Sequence, residues 1–453
     1  MRQTAIPYHE DGADLFEAIA DHPWAVFLDS GPPHARSGRW DIVTAKPHIR
    51  IVTQGDRTLI ERDDGDQVSH EDPLELLGRW LDIQPATSPW PFAGGAIGFL
   101  AYDLAERLEH VPMQPRRLDT PEMVFGIYDW AVLIDHDLRT CHLLGAGRSD
   151  STNCLWESLV DTFTDIKVRR QPAGYSVVQQ AVAETSQEDY SHAFASVRDY
   201  IRAGDCYQVN LAQPFHGELN GNRWDAYRQL RLLNPAPFSA YMNMPGCTVL
   251  SSSPERFLEV RGETVCTRPI KGTRARYADP ILDAAARRAL ASSEKDRAEN
   301  LMIVDLLRND LGKVCRPGTV RVPRLFEIES FANVHHLVST ISGRLAPGKN
   351  ALDLLRAAFP GGSITGAPKR RAMEIIAELE PKRRGLYCGA IGYIGYNGDM
   401  DTNIAIRTLS DDGQSVNFWA GGGLVADSNM AEEYQECLDK AAPLLRLLRP
   451  IAE

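Results

Sequence analysis

A single lysine stands in a segment whose neighbours would hold it firmly beside a ligand. Lys271 lies within Pro269-Ile270-Lys271-Gly272-Thr273, shortly after a strand-like run, Thr264–Thr267. Proline stiffens the approach, and glycine lets a ligand come close to the backbone. Such a lysine is a nucleophile only when it is neutral, and lowering its pKa from about 10.4 to near neutrality costs about 4 kcal/mol. Burial or nearby cations would supply that change, and a solvated loop lysine is the alternative.

Glu255 is placed where a carboxyl group could act as a general acid. It lies in Ser253-Pro254-Glu255-Arg256-Phe257, and alternation after Pro254 puts Glu255 and Phe257 on the same face of a strand. A carboxyl group on an inward face has a raised pKa and can donate a proton near neutral pH. The alternative is an ion pair with its neighbour Arg256.

Two predicted helices carry acidic residues beside their apolar positions. Glu299 lies one turn from Met302 and Ile303, and Glu436 borders the apolar stripe of the last helix. Two carboxylates from separate helices that face one pocket would suit Mg²⁺, which takes one or two carboxylates together with water and substrate oxygens. For both residues, a solvated helix surface is the alternative.

Two glycine-rich segments could approach an anionic ligand. Residues 361–369 open a helix, and helix N-termini attract anions, although Lys369 does not follow glycine as a phosphate-binding P-loop demands. Gly421-Gly422-Gly423 follows a strand and could offer backbone N–H groups to a carboxylate. Tight packing is the alternative for both segments. The adjacent pair His335-His336 lacks metal-ligand spacing, which favours hydrogen-bonding or core roles.

The elements that must position these residues show no regular βαβ alternation. Helices are predicted from about residue 189 to a stop at Gly204, over 294–307, over 431–442, and from Pro368 onward. Strands are predicted at 24–28, 124–134, 140–144, 206–211, 249–252, 257–260, 389–393, 403–409 and 416–420. This pattern predicts an α+β fold with mostly antiparallel sheets. We divide the chain into an N-terminal lobe (1–150), a connecting segment (151–188) and a catalytic lobe (189–449).

Composition excludes several classes of protein. The net charge of −12 argues against a general nucleic-acid binder. The first residues lack the basic start and apolar core of a signal peptide, and no stretch is apolar enough to span a membrane. The eight cysteines include no CxxC pair, so we expect reduced thiols and not a disulfide framework. These features predict a soluble, cytoplasmic protein.

Together these segments strongly resemble the chorismate-utilising enzymes. The resemblance covers residues 190–447, and more weakly the N-terminal lobe, through the stretches 204–213, 253–257, 268–273, 295–310, 334–340, 359–373, 389–393, 402–408 and 420–428. It implies two antiparallel β-sheets packed face to face, with helices outside and the active site in a cleft. Within this family anthranilate synthases have alanine at the position of Lys271, and the Pro-Ile-Lys-Gly-Thr form resembles the aminodeoxychorismate synthases.

The resemblance implies a mechanism and a set of site residues. Lys271 would attack C2 of chorismate while Glu255 protonates the departing 4-hydroxyl group. Ammonia would then attack C4 and expel the lysine, a transaminase-class amination that gives 4-amino-4-deoxychorismate for 4-aminobenzoate and folate. Mg²⁺ held by Glu299 and Glu436 would bind the ring carboxylate. The implied substrate contacts are Gly272, Thr273, His336, Ser363, Tyr387, Arg407, Gly421, Gly422 and Gly423, with Arg407 as a fork for the second carboxylate.

The resemblance also implies a source of ammonia. A glutaminase needs an activated cysteine, and Gly204-Asp205-Cys206-Tyr207-Gln208 lacks the second glycine of a GxCxGxQ nucleophile turn. No amidotransferase domain remains within the 453 residues. We therefore expect a separate glutamine amidotransferase subunit as partner.

Some relatives hold L-tryptophan in a pocket formed by both lobes. The matching residues are Ser30, Arg39 and Trp40, together with Pro237, Phe238 and Ser239. Here Ser37-Gly38 replaces bulkier residues, and a packed lobe interface is the alternative. Two other functions stay open: another chorismate enzyme (anthranilate, isochorismate or salicylate synthase) and a regulatory tryptophan-binding scaffold. Lys271 argues against an anthranilate synthase.

Overall fold

The computed structural model describes residues 1–31, 38–111, 120–165, 172–331 and 334–450, and it contains two large antiparallel sheets. The first sheet consists, in spatial order, of β1 (Arg2–Ile6), β10 (Thr140–Gly145), β9 (Trp130–Asp135), β3 (Trp40–Thr44), β2 (Ala25–Asp29), β13 (Phe238–Met244), β14 (Cys247–Ser253), β23 (Thr408–Asp411), β24 (Val416–Leu424), β12 (Gln208–Gly221) and β11 (Tyr175–Ala183), with β20 (Gly366–Ala367) paired to β12.

The second sheet has the same size. It consists of β17 (Ile270–Ala275), β19 (Val334–Arg344), β16 (Thr264–Thr267), β15 (Arg256–Arg261), β22 (Met400–Ile404), β21 (Ala390–Gly395), β7 (Gly95–Leu100), β8 (Met123–Tyr128), β4 (Ile49–Gln54), β5 (Arg57–Arg62) and β6 (Gln67–Ser69), with β18 (Arg321–Ser330) paired to β19.

The helices interrupt the strands without a repeating order. They are α1 (Ala13–Phe16), α2 (Pro73–Leu81), α3 (Ala105–Leu108), α4 (Asp150–Thr164), α5 (Gln187–Ala203), α6 (Arg223–Leu233), α7 (Pro280–Ser292), α8 (Glu294–Gly312), α9 (Ala351–Ala358), α10 (Lys369–Leu379) and α11 (Met430–Leu447). No described helix is both long enough and apolar enough to span a bilayer. All eight cysteines are free.

The two sheets share one apolar layer and carry helices on their outer faces. Val26 and Met242 of the first sheet belong to the same buried cluster as Ile97 and Ile391 of the second. On the outer face of the first sheet, α6 and α11 complete a second cluster, and α8 and α9 complete a third on the other sheet. The predicted fold, an α+β arrangement of two antiparallel sheets packed face to face with helices outside, is confirmed.

Each sheet contains strands from both ends of the chain. The pairing of β2 with β13 joins residues 1–150 to the later residues in the first sheet, and the pairing of β7 with β21 does so in the second. We call these two strand pairs the seams. The division into lobes at 1–150, 151–188 and 189–449 stays a prediction.

Helix α5 shows how the sequence determines an element. Tyr190, Phe194 and Val197 recur at helical spacing and are buried, as the sequence predicts. The Ser186 side chain caps the helix by accepting a hydrogen bond from the Asp189 N–H, at 3.0 Å. Gly204 ends it at a φ of 83°, a conformation that glycine adopts without strain.

Two predicted strands are wrong as single elements. Residues 124–134 form the end of β8 in the second sheet and the start of β9 in the first, and the chain crosses between the sheets at Asp129. Residues 403–409 end β22 in the second sheet and begin β23 in the first, and Arg407 lies in the left-handed region between them at a φ of 53°. The apolar pattern continues through both breaks, so it does not reveal them.

Candidate active site

Two neighbouring chain crossings between the sheets carry two of the predicted site residues. The first crossing joins β14 to β15 and contains Glu255, and the second joins β22 to β23 and contains Arg407. The Ile404 N–H donates to the Glu255 carbonyl at 3.0 Å. The Ser252 N–H donates to the Arg407 carbonyl, also at 3.0 Å. Backbone hydrogen bonds therefore fix the positions of these two side chains relative to each other.

The amine of Lys271 lies between the end of β24 and the helices α8 and α11. Its Nζ donates to the Ser363 carbonyl at 3.3 Å and lies 3.4 Å from where a Cβ on Gly423 would stand. Charges on Glu299 of α8 and on Glu436 of α11 act on it. Part of its surface is accessible. The sequence separates these residues by as much as 165 positions, and the fold brings them together.

Burial is the main cause that lowers the pKa of Lys271 below its ordinary value. The ammonium group of Lys440 lowers the pKa further, whereas the carboxylates of Glu299, Glu255 and Glu436 oppose this effect. The lowered pKa favours the neutral amine, which is the form that a nucleophile needs. The alternative of a freely solvated loop lysine does not fit these surroundings.

Glu255 is the buried acid of the site, with 5% of its surface exposed. Burial raises its pKa to about 7, although Lys271 and the hydrogen bond from Ser363 lower it in part. The Ser363 hydroxyl donates to its Oε1 at 3.0 Å. The alternative of an ion pair with the adjacent residue is wrong, because Arg256 pairs with Asp401 at 2.8 Å.

A group of carboxylates faces Lys271 from α8 and α11. Burial raises the pKa of Glu299. Glu436 is exposed, and although the nearby protein acts to raise its pKa, a 2.6 Å ion pair with Lys440 outweighs this effect and lowers the pKa. Glu433 is almost fully buried and lies 3.5 Å from the ammonium group of Lys295. Burial acts to lower the pKa of Lys295, but the charges of the three carboxylates outweigh it and raise the pKa.

These carboxylates fit a magnesium ion. A lysine ammonium already interacts with the whole group, so the group attracts a cation. Its oxygens are the ligands that Mg²⁺ prefers, and Mg²⁺ typically binds one or two carboxylates and fills its shell with water and substrate oxygens. Among the described residues no three carboxylate, histidine or cysteine side chains form a ready-made metal cage. The arrangement therefore suits an ion whose shell the substrate helps to complete.

The remaining polar residues surround the lysine with groups that suit an anionic ligand. The hydroxyl of Thr273 and Nδ1 of His336 form a hydrogen bond at 2.9 Å. Burial lowers the pKa of His336 to about 4, so the ring is neutral near pH 7. Burial also lowers the pKa of Arg407, which forms no ion pair with any described residue. Tyr387 lies near this guanidinium and stacks on Trp419 with ring centroids 6.2 Å apart.

The glycines beside the lysine leave space for side chains or for close approach. Gly272 has a φ of 77°, and a Cβ there would lie 2.8 Å from the Asp296 side chain. A Cβ on Gly422 would lie 3.3 Å from Glu433 Oε2. Gly421 accepts a hydrogen bond from Lys440 through its carbonyl oxygen, at 3.1 Å. The triple glycine therefore lets charged side chains lie directly over the strand.

The other glycine-rich loop contributes one residue to the site. Ser363 lies in a single helical turn, Gly362–Ile364, and contacts both Glu255 and Lys271. Lys369 turns away and pairs with Asp310 at 2.9 Å in a buried position.

Three site residues were missed by the sequence-based reasoning. Lys440 and Glu433 lie one turn on either side of Glu436 on α11. Gln208 is fully buried, and neither its side-chain nitrogen nor its oxygen has a hydrogen-bond partner among the described residues. Its amide lies 2.9 Å from the Cβ position on Gly423, which also adjoins Lys271. A helical spacing of three or four residues from Glu436 was the available signal for the first two.

A cavity of about 310 Å³ lies across the seam between β2 and β13. Arg39, Trp40, Pro237, Phe238 and Ser239 line it, as predicted for a tryptophan pocket. Ser30 does not line it, because its N–H and hydroxyl both donate to the buried Asp41, at 2.8 and 2.7 Å. Ser37 lies outside the described residues. The lining also includes charged residues that were not predicted, namely Asp29, Arg256, Glu259, Arg261, Arg268 and Asp401.

Comparisons with known proteins agree with this geometry. The chain is 46% identical over 450 residues to aminodeoxychorismate synthase component 1 of Klebsiella aerogenes, covering 98% of each chain. It is 44% identical to the protein of the same name from Escherichia coli (strain K12), covering 97% of each. Anthranilate synthase component 1 of Streptomyces coelicolor is 40% identical over 398 residues, which are 83% of this chain and 78% of that protein.

Solved structures show the same fold. The crystal structure of anthranilate synthase component I from Streptococcus pneumoniae TIGR4 superposes with a TM-score of 0.76 at 34% identity, covering 91% of this chain and 93% of that one. The menaquinone-specific isochorismate synthase MenF of Escherichia coli shares the fold at 19% identity, with a TM-score of 0.74 over 99% and 94% of the two chains. Residues 26–446 match the chorismate binding enzyme family. The resemblance found in the sequence is thereby confirmed, and the chain belongs to the chorismate binding enzyme family.

Proposed function

We propose that this chain is the chorismate-aminating component of an aminodeoxychorismate synthase. The observation that carries the proposal is the position of Lys271, whose enclosed amine faces the acid Glu255 and the carboxylates of α8 and α11. Both aminodeoxychorismate and anthranilate synthases resemble the chain over most of its length, so overall similarity alone separates them poorly. A lysine with a lowered pKa in place of alanine favours the aminodeoxychorismate reaction.

The first step forms a bond from Lys271 to the ring. The neutral amine attacks C2 of chorismate, the ring double bonds shift, and the 4-hydroxyl group departs. Hydroxide is a poor leaving group, so Glu255 donates a proton and the group leaves as water. A pKa of about 7 keeps a large share of Glu255 protonated near neutral pH, which suits this role.

The second step transfers nitrogen to the ring. Ammonia attacks C4, the double bonds shift back, and Lys271 leaves as the free amine. The Glu255 carboxylate accepts the proton that the incoming nitrogen loses, and this restores the acid for the next cycle. The sum is chorismate plus ammonia giving 4-amino-4-deoxychorismate plus water.

The surrounding residues would bind the substrate and hold its ring still. Arg407, which has no carboxylate partner among the described residues, would receive the second carboxylate of chorismate in a bidentate contact. His336, neutral and fixed by Thr273, and Tyr387 would complete that side of the pocket. The backbone of Gly421–Gly423 would approach the ring from the opposite side.

Glu299 and Glu436 would hold Mg²⁺, with Glu433 and Lys295 nearby. When bound, the ion would neutralise the ring carboxylate of the substrate and orient it. Lys295 and Lys440 form ion pairs with Glu433 and Glu436 and so reduce the mutual repulsion of the three acids. We expect these two lysines to move aside, at least in part, when a divalent ion binds.

Mass spectrometry of the protein with chorismate and Mg²⁺ but without ammonia tests the proposal. We expect a mass increase localised to Lys271, and no increase in the Lys271→Ala variant. The control is Lys295→Ala, which removes a nearby lysine outside the proposed covalent step. A product assay with ammonium completes the test, because anthranilate would appear directly as a fluorescent product. Full amination by Lys271→Ala would contradict the covalent mechanism.

We infer two further binding partners for this chain, a protein subunit and a small molecule. Ammonia would come from a glutamine amidotransferase subunit, so the amide nitrogen of glutamine would end on the ring in a transaminase-class reaction. L-Tryptophan would bind in the 310 Å³ seam cavity, where buried acids and arginines could pair with its amino and carboxylate groups. Isothermal titration with tryptophan tests the second inference, and Trp40→Ala is expected to abolish the binding.

A further inference from the structure

Ser363 forms hydrogen bonds with both of the proposed catalytic groups. Its hydroxyl donates to Glu255 Oε1 at 3.0 Å, and its main-chain carbonyl oxygen accepts from Lys271 Nζ at 3.3 Å. Ser363 is almost fully buried, so these bonds lie largely away from water. The family resemblance implies a substrate contact at this position. In the structure, the same residue instead connects the acid to the nucleophile.

The helical turn that carries Ser363 is held firmly by its surroundings. The Thr365 hydroxyl donates to the carbonyl oxygen of Gly361 at 3.0 Å, which closes the turn on itself. The buried guanidinium of Arg384 donates to the carbonyl oxygen of Ile364, also at 3.0 Å. A side chain held by a fixed support keeps its own position more precisely than one on a free loop. The turn is therefore a rigid base for both contacts of Ser363.

The serine hydroxyl determines which oxygen of Glu255 gives up the proton. A protonated carboxyl group accepts a hydrogen bond best at its carbonyl oxygen. Because Oε1 accepts from Ser363, the proton that Glu255 donates belongs on Oε2. Burial raises the pKa of Glu255 to about 7, and the hydrogen bond from Ser363 opposes that rise. Loss of this bond would free the carboxyl group to rotate and would make it a weaker acid.

The serine carbonyl oxygen orients the amine of Lys271. A neutral amine has two N–H groups and one lone pair, and the lone pair must point at the carbon that it attacks. Since one N–H donates to Ser363, rotation about the last bond of the side chain is restricted. A lysine side chain is long and flexible, so an anchor at its end removes much of its freedom before the substrate arrives.

The first step of the proposed function, on which this inference rests, needs both groups at the same time. Lys271 attacks C2 while Glu255 protonates the 4-hydroxyl group of the same ring, so the separation of acid and nucleophile must match the ring. We propose that Ser363 is the positioning residue that keeps these two groups in one fixed arrangement. A contact between Ser363 and the substrate would instead act on substrate binding.

Two measurements on Ser363→Ala test the proposal, and this variant isolates the hydroxyl because alanine keeps the main-chain carbonyl. In steady-state amination we expect kcat to fall about 10- to 100-fold, while the KM for chorismate stays within about twofold. Infrared difference spectra follow the C=O band of the protonated Glu255, which is identified by its absence in Glu255→Gln. In Ser363→Ala we expect this band at higher frequency and its midpoint of titration about one pH unit higher.

The matched control is Thr365→Val in the same turn. It removes a buried hydroxyl that holds the turn but forms no bond to Glu255 or Lys271 among the contacts of the described residues. We expect Thr365→Val to lower the melting temperature while the titration of the Glu255 band stays unchanged. If Ser363→Ala does not fold, Ser363→Cys decides by the same measurements, because a thiol has similar size but donates weakly.

The outcomes separate this inference from the function beneath it. Failure of the unaltered protein to make 4-amino-4-deoxychorismate would overturn the proposed function. If the unaltered protein is active and Ser363→Ala raises only the KM for chorismate, with the infrared band unmoved, Ser363 contacts the substrate and the inference is wrong. Equal losses of kcat in Ser363→Ala and Thr365→Val, again without a shift of the band, would show a role in folding alone and would also overturn it.

Discussion

Replacing Glu255 with glutamine should make the protein more stable while it removes the catalytic acid. The carboxyl group is 5% exposed, and its pKa is raised from 4.5 to about 7. A raised pKa means that the unfolded chain loses this proton from about pH 4.5, whereas the folded protein keeps it until about pH 7. The free energy of unfolding therefore falls as the pH rises through this window, and the loss persists above it. Glutamine has no such proton, and its amide oxygen can still accept from Ser363.

The magnitude follows from the two pKa values. Their separation corresponds to about 3 kcal/mol, since one pKa unit equals about 1.4 kcal/mol. We expect Glu255→Gln to be more stable than the unaltered protein by about 3 kcal/mol near pH 8 and by about 1 kcal/mol near pH 5. Amination should fall by about 10²–10⁴-fold because the 4-hydroxyl group then leaves without a proton.

Denaturant unfolding followed by tryptophan fluorescence, repeated from about pH 5 to pH 8, measures the difference. Glu157→Gln, at an exposed position on α4, is the matched control and should show no comparable pH dependence. A stability difference that stays constant with pH, or a variant less stable than the unaltered protein near pH 8, would refute the reasoning about burial. Retained amination would refute the assignment of the acid.

Three further changes test other parts of the structure. Arg407→Lys should raise the KM for chorismate about tenfold with a smaller effect on kcat, because lysine cannot form the bidentate contact. Glu299→Ala or Glu436→Ala should raise the Mg²⁺ concentration for half-maximal activity at least about tenfold, and an unchanged Mg²⁺ titration would contradict their role as ligands. Asp310→Ala should destabilise the fold by about 3–5 kcal/mol in denaturant unfolding, because it leaves the buried ammonium group of Lys369 without its carboxylate partner.

The sequence predicted the elements with strong periodicity and failed where the chain changes sheets. Helix α5 begins and ends near the expected residues because its apolar spacing, cap and terminal glycine all agree. Residues 403–409 form parts of two strands because Arg407 adopts a left-handed conformation. An arginine at this position does not predict that conformation. Alternation of apolar residues cannot distinguish one long strand from two strands in different sheets.

For the site, residues of unusual type were easier to recognise than residues of ordinary type. Lys271 and Glu255 stand in short segments of distinctive composition, and the fold brings both to one cleft. Glu433 and Lys440 belong to a helix with several other charged residues, so composition alone could not select them. Gln208 became visible only through its burial without hydrogen-bond partners, which depends on the packing of distant strands.

The two seams also determine when the chain can finish folding during synthesis. Until residues 238–244 and 390–395 leave the ribosome, β2 and β7 each lack a neighbouring strand on one side. Their unpaired backbone groups can then form hydrogen bonds with strands of other chains. The first third of the protein is thus exposed to aggregation while the rest is still being translated. A small molecule bound in the 310 Å³ cavity would contact residues from both sides of the first seam. It would therefore stabilise the complete fold relative to partly folded states.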